Sequence, residues 1–238
     1  MDGYRKKLRI YNIGKINVAA VAAFFCLFLA GIALSAFCAK APYVVTGHIA
    51  GDAGLAVGLV IVGVVAHEAL HGLGAMLFGK VKKGDIHFGA NLRSGVFYCH
   101  VGTPVTMKAY KAMLILPLLV TLIPYALVIA FGGTCLLAAF SMLLAGCAGD
   151  VAMTIGLCRE KEKNRLVSDH PDTTAYYVLV PEEEADFDEL TEEEEKAIIE
   201  DNRKNGGVKL GIKIILIAIF LALFALCTYV VALVMRLI

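Results

Sequence analysis

Long apolar stretches separated by short polar segments dominate the hydropathy pattern of this chain. Five of them approach the roughly 20 apolar residues that a helix needs to cross the hydrocarbon core of a bilayer. They cover residues 16–39, 53–78, 113–131, 134–158 and 210–235. The composition agrees, since 59% of the 238 residues are hydrophobic, 18% are charged and the mean hydropathy is +0.75. The pattern predicts an all-α, multi-pass integral membrane protein with about five transmembrane helices.

The loop over residues 79–112 carries a different pattern. Two short runs, 85–90 and 95–101, are rich in aromatic and β-branched residues and flank a turn-forming tetrapeptide. This arrangement predicts a small cytosolic β-hairpin. Such a hairpin either caps the helical bundle or offers an edge strand with which an extended peptide can pair.

The segment over residues 159–209 is the largest hydrophilic part of the chain. Residues 175–180 predict a strand. Ten acidic residues between Glu182 and Glu195 predict a solvated arm that is partly helical over 188–205. The predicted organisation is therefore a membrane bundle over 1–158, a cytosolic acidic segment over 159–209 and a C-terminal transmembrane helix over 210–238.

Basic residues are distributed unevenly among the polar segments. Five precede the first span and six lie in the loop 79–112, whereas the loop 40–52 contains only Lys40. By the positive-inside rule, both basic segments are cytosolic. We therefore expect a protein of the cell membrane with its N-terminus in the cytosol and its C-terminus outside.

One apolar stretch contains the sequence His67-Glu68-x-x-His71. Two imidazoles and a carboxylate are costly in hydrocarbon, so their presence in a span indicates a functional site. Residues four apart share one helical face, which lets both histidines bind one Zn²⁺ while Glu68 reaches a water molecule as the catalytic base. The simpler alternative is a pair of buried histidines whose nitrogens are satisfied by hydrogen bonds.

A catalytic zinc site generally takes three protein ligands, so a third donor is needed. Asp150 is the acidic residue of the third to fifth spans, and like His71 it lies eight residues from the cytosolic end of its span, or about 12 Å in. We therefore expect the two side chains to meet, although Asp150 could instead only accept a hydrogen bond from a neighbouring helix. His100, in the hairpin loop, is the weaker candidate for the third ligand. The remaining histidines, which are less favourably placed, are His48, His87 and His170.

Several short motifs follow one another between residues 64 and 180: His67-Glu68-x-x-His71, Phe88-Gly89, Tyr98-Cys99-His100, Pro117 and Gly149-Asp150. In this order they resemble the DUF3267 family of zincin peptidases and, more distantly, the site-2 intramembrane metalloproteases. The resemblance implies that His67, His71 and Asp150 bind zinc and that Glu68 is the catalytic base. Val151 after Asp150 departs from the site-2 pattern.

These features favour an intramembrane zinc metalloprotease. Its cofactor would be Zn²⁺, which lowers the pKa of water toward about 7 and polarises a carbonyl group. The expected partners are the lipid bilayer and a membrane-spanning or membrane-adjacent protein or peptide substrate, and no nucleic acid. Two alternatives use the same side chains: a non-catalytic metal-binding membrane protein, and a metal or ion transporter.

Overall fold

The computed structural model describes residues 3–38, 45–91, 96–160, 165–170 and 174–205. Within these ranges the chain is mostly helical. The helices are α1 (Ile13–Cys38), α2 (Ile49–Gly79), α3 (Met107–Phe131), α4 (Thr134–Gly146), α5 (Ala148–Arg159) and α6 (Glu192–Asn205). The strands are β1 (Tyr4–Ile10), β2 (Ile86–Asn91), β3 (Val96–Val101), β4 (Val105–Thr106), β5 (Leu166–Asp169) and β6 (Ala175–Pro181).

Four helical segments are long and apolar enough to cross a membrane: Ile13–Ala36, Ile49–Gly79, Met107–Phe131 and Thr134–Arg159. They coincide with the first four predicted spans, and they are consistent with a multi-pass membrane protein. The predicted fifth span, 210–235, lies outside the described residues, as do residues 92–94 of the predicted turn and residue 95.

The expectation of an all-α chain is too simple, because the described residues also form two antiparallel sheets. One is the predicted hairpin, β2 with β3. The other has four strands in the order β1-β6-β5-β4. The predicted strand over 175–180 is β6, but it pairs with β1 on one side and β5 on the other. The run Tyr4–Ile10 was missed as a strand because its basic residues were considered only as topology signals.

The four-stranded sheet collects segments from three distant parts of the chain. β1 precedes α1, β4 precedes α3, and β5 and β6 follow α5. Because strands of one sheet lie side by side, these three segments lie at the same end of the helical bundle. This agrees with the sequence-based topology, which placed the same three segments on one side.

Two clusters of buried side chains hold the fold together. One lies among α1, α3 and α4 and includes Phe24, Phe28 and Tyr125. The other joins the four-stranded sheet to α3 and α5, and Tyr110 and Tyr176 are its largest fully buried members. The second cluster therefore connects the sheet directly to the bundle.

The fourth apolar segment is interrupted at Cys147, between α4 and α5. The interruption lies in the run Ala145–Gly149, whose two glycines have low helix propensity. The Cys147 amide bonds the Leu144 carbonyl at 3.1 Å, which is one residue closer than the α-helical pattern. The helix restarts at Ala148, and Asp150 consequently lies in the first turn of α5.

Helices α2 and α3 approach closely at Gly74. A Cβ atom added there would lie 3.0 Å from the Cα atom of Met113, which is backbone and cannot rotate away. We expect Gly74→Ala to lower the free energy of unfolding by about 1–3 kcal/mol, the usual effect of overpacking. Unfolding of the purified protein in detergent measures the effect.

Gly58→Ala is the matched control for this substitution, because Gly58 lies on the same helix and no atom of the described residues comes within 4 Å of an added Cβ. We expect it to be neutral or slightly stabilising, since alanine favours the helix. Equal losses for the two variants would contradict the close approach of α2 and α3.

Candidate metal centre

His67 and His71 lie one turn apart on α2, and their rings contact each other edge to face. The two Nε2 atoms are 3.1 Å apart, and the ring planes are 86° from parallel. The side chains are 17% and 9% exposed, so water screens them poorly. One turn of α2 thus brings two imidazole nitrogens to one point.

Asp150 reaches both histidines from α5. Its Oδ2 atom lies 3.2 Å from His67 Nε2, and its Oδ1 atom lies 3.3 Å from His71 Nε2. The structure therefore brings together His71 and Asp150, which the sequence argument placed at one depth, and His67 of the same motif.

The spacing of the three side chains can be compared with that around a metal ion. Within the described ranges they form the one group of three or more histidine, cysteine or acidic side chains whose ligand atoms lie within 4.8 Å of one another. Tetrahedral zinc binds nitrogen and oxygen at about 2.0–2.2 Å, which separates its ligand atoms by about 3.3–3.6 Å. The observed separations of 3.1, 3.2 and 3.3 Å are close to this value. The 3.2 and 3.3 Å separations involve the two different oxygens of the Asp150 carboxylate, and with one ligand atom from each residue the three atoms lie within 4.8 Å of one another.

The hydrogen bonds of the second ring nitrogens support the same conclusion. His71 Nδ1 lies 3.0 Å from the carbonyl oxygen of Met113, which only accepts, so Nδ1 carries the hydrogen. His67 Nδ1 lies 3.8 Å from the sulfur of Cys147, whose thiol donates to the Leu143 carbonyl. In neutral imidazoles both Nε2 atoms then present lone pairs, as metal-binding histidines do when the other nitrogen is fixed. Two lone pairs and a carboxylate converge on one point, and a cation satisfies all three.

Glu68 follows His67 on α2 and turns toward the hairpin. Its carboxylate accepts a hydrogen bond from the backbone N–H of Cys99 in β3, and it lies close enough to His67, His71 and Asp150 for their charges to act on it. Glu68 is therefore a carboxylate beside the cluster but outside the set of three. Glu68 is partly exposed, so water can reach it.

The hairpin lies beside α2 rather than beyond its end. A Cβ atom at Gly72 would lie 2.7 Å from Cζ of Phe88 in β2, and Gly72 is seven residues, or about 10 Å, from the end of α2 at Gly79. Cys99 reaches Glu68, about 16 Å from that end. If α2 spans the bilayer, the hairpin lies within its thickness.

The thiol of Cys99 is in the same low-dielectric environment. Burial, with smaller effects from the charges of Glu68 and Asp169, raises its pKa to about 12. This direction disfavours the thiolate form of Cys99.

The other histidines lie outside the cluster. His100 Nδ1 is buried 4.0 Å from Asp169 and has no hydrogen-bond partner among the described residues. His87 stacks on His100 across the hairpin. His170 bonds Glu195 of α6, and His48 precedes the first turn of α2. Of the sequence candidates, the structure thus joins His67, His71 and Asp150 and leaves His100 apart.

Several groups around the site were missed by sequence reasoning: the Met113 carbonyl, the Cys147 sulfur, the Cys99 amide and Asp169. Backbone groups have no sequence signal, because every residue carries them. Cys147 has no metal-binding or catalytic motif around it in the sequence. Asp169 lies in a polar segment remote in sequence from the motif. Carboxylates are common in such segments, so the sequence does not distinguish Asp169 as a site residue.

Four helices able to cross a membrane are consistent with a multi-pass membrane protein, and the His-His-Asp cluster with its adjacent glutamate is a candidate zinc centre. Residues 60–164 match the model of the family DUF3267, described as "Putative zincin peptidase". The match contains Glu68 and the three clustered residues, and it confirms the family resemblance inferred from the motifs. A zincin designation implies zinc as the cofactor. No curated protein and no solved structure matches the chain.

Proposed function

We propose that this protein is an intramembrane zinc metallopeptidase that hydrolyses peptide bonds of membrane-associated substrates. The observation that carries the proposal is the convergence of two imidazole nitrogens and a carboxylate at metal spacing beside Glu68. A structural zinc site is normally closed by four protein ligands, whereas three leave a position for water. The zincin description of the matched family supports the same reaction class.

Each residue has a distinct role in this mechanism. His67, His71 and Asp150 hold the metal, and the bonds of the Nδ1 atoms to Met113 and Cys147 fix the orientation of the rings. Zn²⁺, when bound, polarises the scissile carbonyl and lowers the pKa of water toward about 7. Glu68 takes the proton from the attacking water and returns it to the leaving amine.

The hairpin supports an extended peptide as the substrate. Among the described residues, β2 pairs only with β3, so its other edge has no strand partner. Unpaired backbone groups in hydrocarbon cost several kcal/mol each, so an edge at this depth must face a polar cleft or accept another strand. A peptide strand added there would be held through its backbone on the same hairpin that contacts Glu68, with its carbonyls free of helical bonds.

Removal of the metal tests the proposed function directly. We expect the purified wild-type protein in detergent to cleave members of a panel of transmembrane peptides. A zinc chelator should abolish the cleavage and stoichiometric Zn²⁺ should restore it, because the ion supplies the activated water. Mass spectrometry of the products measures the reaction.

The same preparation distinguishes the two alternatives. Reconstituted in liposomes, a transporter would move Zn²⁺ across the bilayer without cleaving any peptide. A non-catalytic binding protein would retain zinc and do neither. Either result would overturn the proposed function.

A further inference from the structure

Asp169 is a buried carboxylate that the mechanism above does not use. It ends β5, in the sheet at the end of the bundle, and its side chain is 12% exposed. It accepts hydrogen bonds from the hydroxyl of Tyr110 in α3 and from the backbone N–H of Val101 in β3. One side chain of the sheet therefore joins a transmembrane helix to the hairpin.

The first of these bonds leads to His71. Tyr110 lies one turn before Met113 on α3, and the Met113 carbonyl accepts the hydrogen of His71 Nδ1. That bond determines which nitrogen of His71 faces the metal position. By anchoring Tyr110, Asp169 fixes the start of α3 and with it the Met113 carbonyl.

The second bond leads to Glu68. Amides two residues apart in a strand point to the same edge, so the N–H groups of Cys99 and Val101 share one edge of β3. The first bonds Glu68 and the second bonds Asp169. The two carboxylates thus hold neighbouring amides of one edge, and a shift of Val101 would move Cys99 away from Glu68.

A buried carboxylate is expensive, and a residue with no role beyond packing would be replaced by an apolar one at little cost. Burial raises the pKa of Asp169, and the bonds from Tyr110 and Val101 oppose that rise. The Asp169 carboxylate is therefore desolvated where the four-stranded sheet contacts α3 and the hairpin, and this desolvation costs free energy of folding.

We propose that Asp169 is a positioning residue for the metal centre, which orients His71 through Tyr110 and α3 and Glu68 through β3. The expected effect of Asp169 on kcat rests on the proposed function. Its expected effect on zinc affinity does not depend on peptide cleavage. It gives the four-stranded sheet a part in building the site.

Asp169→Asn tests the role, because asparagine keeps the size of the side chain and removes its charge. We expect zinc affinity, measured by competition with a chromophoric chelator, to weaken about 10-fold, and kcat to fall about 10- to 100-fold with KM within about 2-fold. Tyr110→Phe removes one of the two hydrogen bonds and should produce the same changes to a smaller extent. The double variant should lose less than the product of the two single effects, since both act on one contact.

Asp52→Asn is the matched control. Asp52 is also a buried carboxylate, and it accepts bonds from Thr46 and Val45 at the opposite end of α2, about 28 Å along the helix from His71. We expect it to affect unfolding but neither zinc affinity nor kcat. If Asp169→Asn and Tyr110→Phe behave like Asp52→Asn, the positioning role is wrong.

The outcomes separate this inference from the proposed function. If the wild-type protein cleaves no peptide, the peptidase proposal fails, and zinc affinity alone decides the role of Asp169. If Asp169→Asn does not fold, Tyr110→Phe decides it, because that variant removes a single hydroxyl group. Zinc affinity unchanged in Tyr110→Phe would then overturn the inference.

Discussion

We expect Glu68→Gln to abolish peptide cleavage while the protein keeps its zinc. Glutamine has the shape of glutamate but cannot take a proton from water, so the loss should be at least the 10²- to 10⁴-fold that general-base catalysis contributes. Zinc should remain at wild-type stoichiometry, because Glu68 lies outside the group of three clustered side chains. Product formation and metal content, measured on the same preparation, give the two quantities.

Glu160→Gln is a suitable control, since it makes the same chemical change at the end of α5, where Glu160 pairs with Arg9 in the sheet. We expect its cleavage rate to be close to that of the wild type. Cleavage that survives Glu68→Gln would refute the hydrolase mechanism. Loss of zinc from Glu68→Gln would instead make Glu68 part of the metal-binding set.

Removal of a clustered donor should have the second large effect, on the metal itself. We expect His67→Ala and Asp150→Ala each to lose zinc on purification, because two remaining donors do not form a zinc site. Both should also lose cleavage entirely. Metal content is measured by elemental analysis after dialysis against a weak chelator.

His100→Ala is the control for the ligand set. The structure places His100 beside Asp169 rather than in the cluster, so we expect this variant to keep its zinc. If His100→Ala loses zinc and Asp150→Ala retains it, the third ligand has been assigned to the wrong residue. Retention of zinc by His67→Ala would remove the motif from the metal site altogether.

The helical spans and the hairpin were predictable because both depend on local patterns. A run of about 20 apolar residues is stable in lipid only as a helix, since the helix satisfies its own backbone. The alternation and turn residues of 85–101 similarly favour a hairpin of neighbouring strands. Strand β1 was not predictable in this way, because its partner β6 lies about 170 residues later in the chain.

The candidate site likewise has a part that was predictable from local sequence patterns and a part that was not. His67, Glu68 and His71 were recognisable because four-residue spacing brings side chains together within a single helix. Asp150 required an argument about depth, and the break at Cys147 that puts Asp150 in the first turn of α5 was not foreseen. The groups that orient the site, among them the Met113 carbonyl and the Cys99 amide, were invisible before the helices and hairpin were packed together.

The amino-acid order alone therefore settled which segments are apolar enough to span a membrane and which helical turn carries the metal-binding chemistry. The packing of α2, α3, α5 and the hairpin settled which carboxylate meets the histidines and which nitrogen of His71 faces the metal position. The physical reason is that hydropathy and helical spacing act over one or two turns of chain. Contacts between residues far apart in the sequence, such as His67 with Asp150 or Glu68 with Cys99, depend on how the elements pack, and the pattern of a single segment does not contain that information.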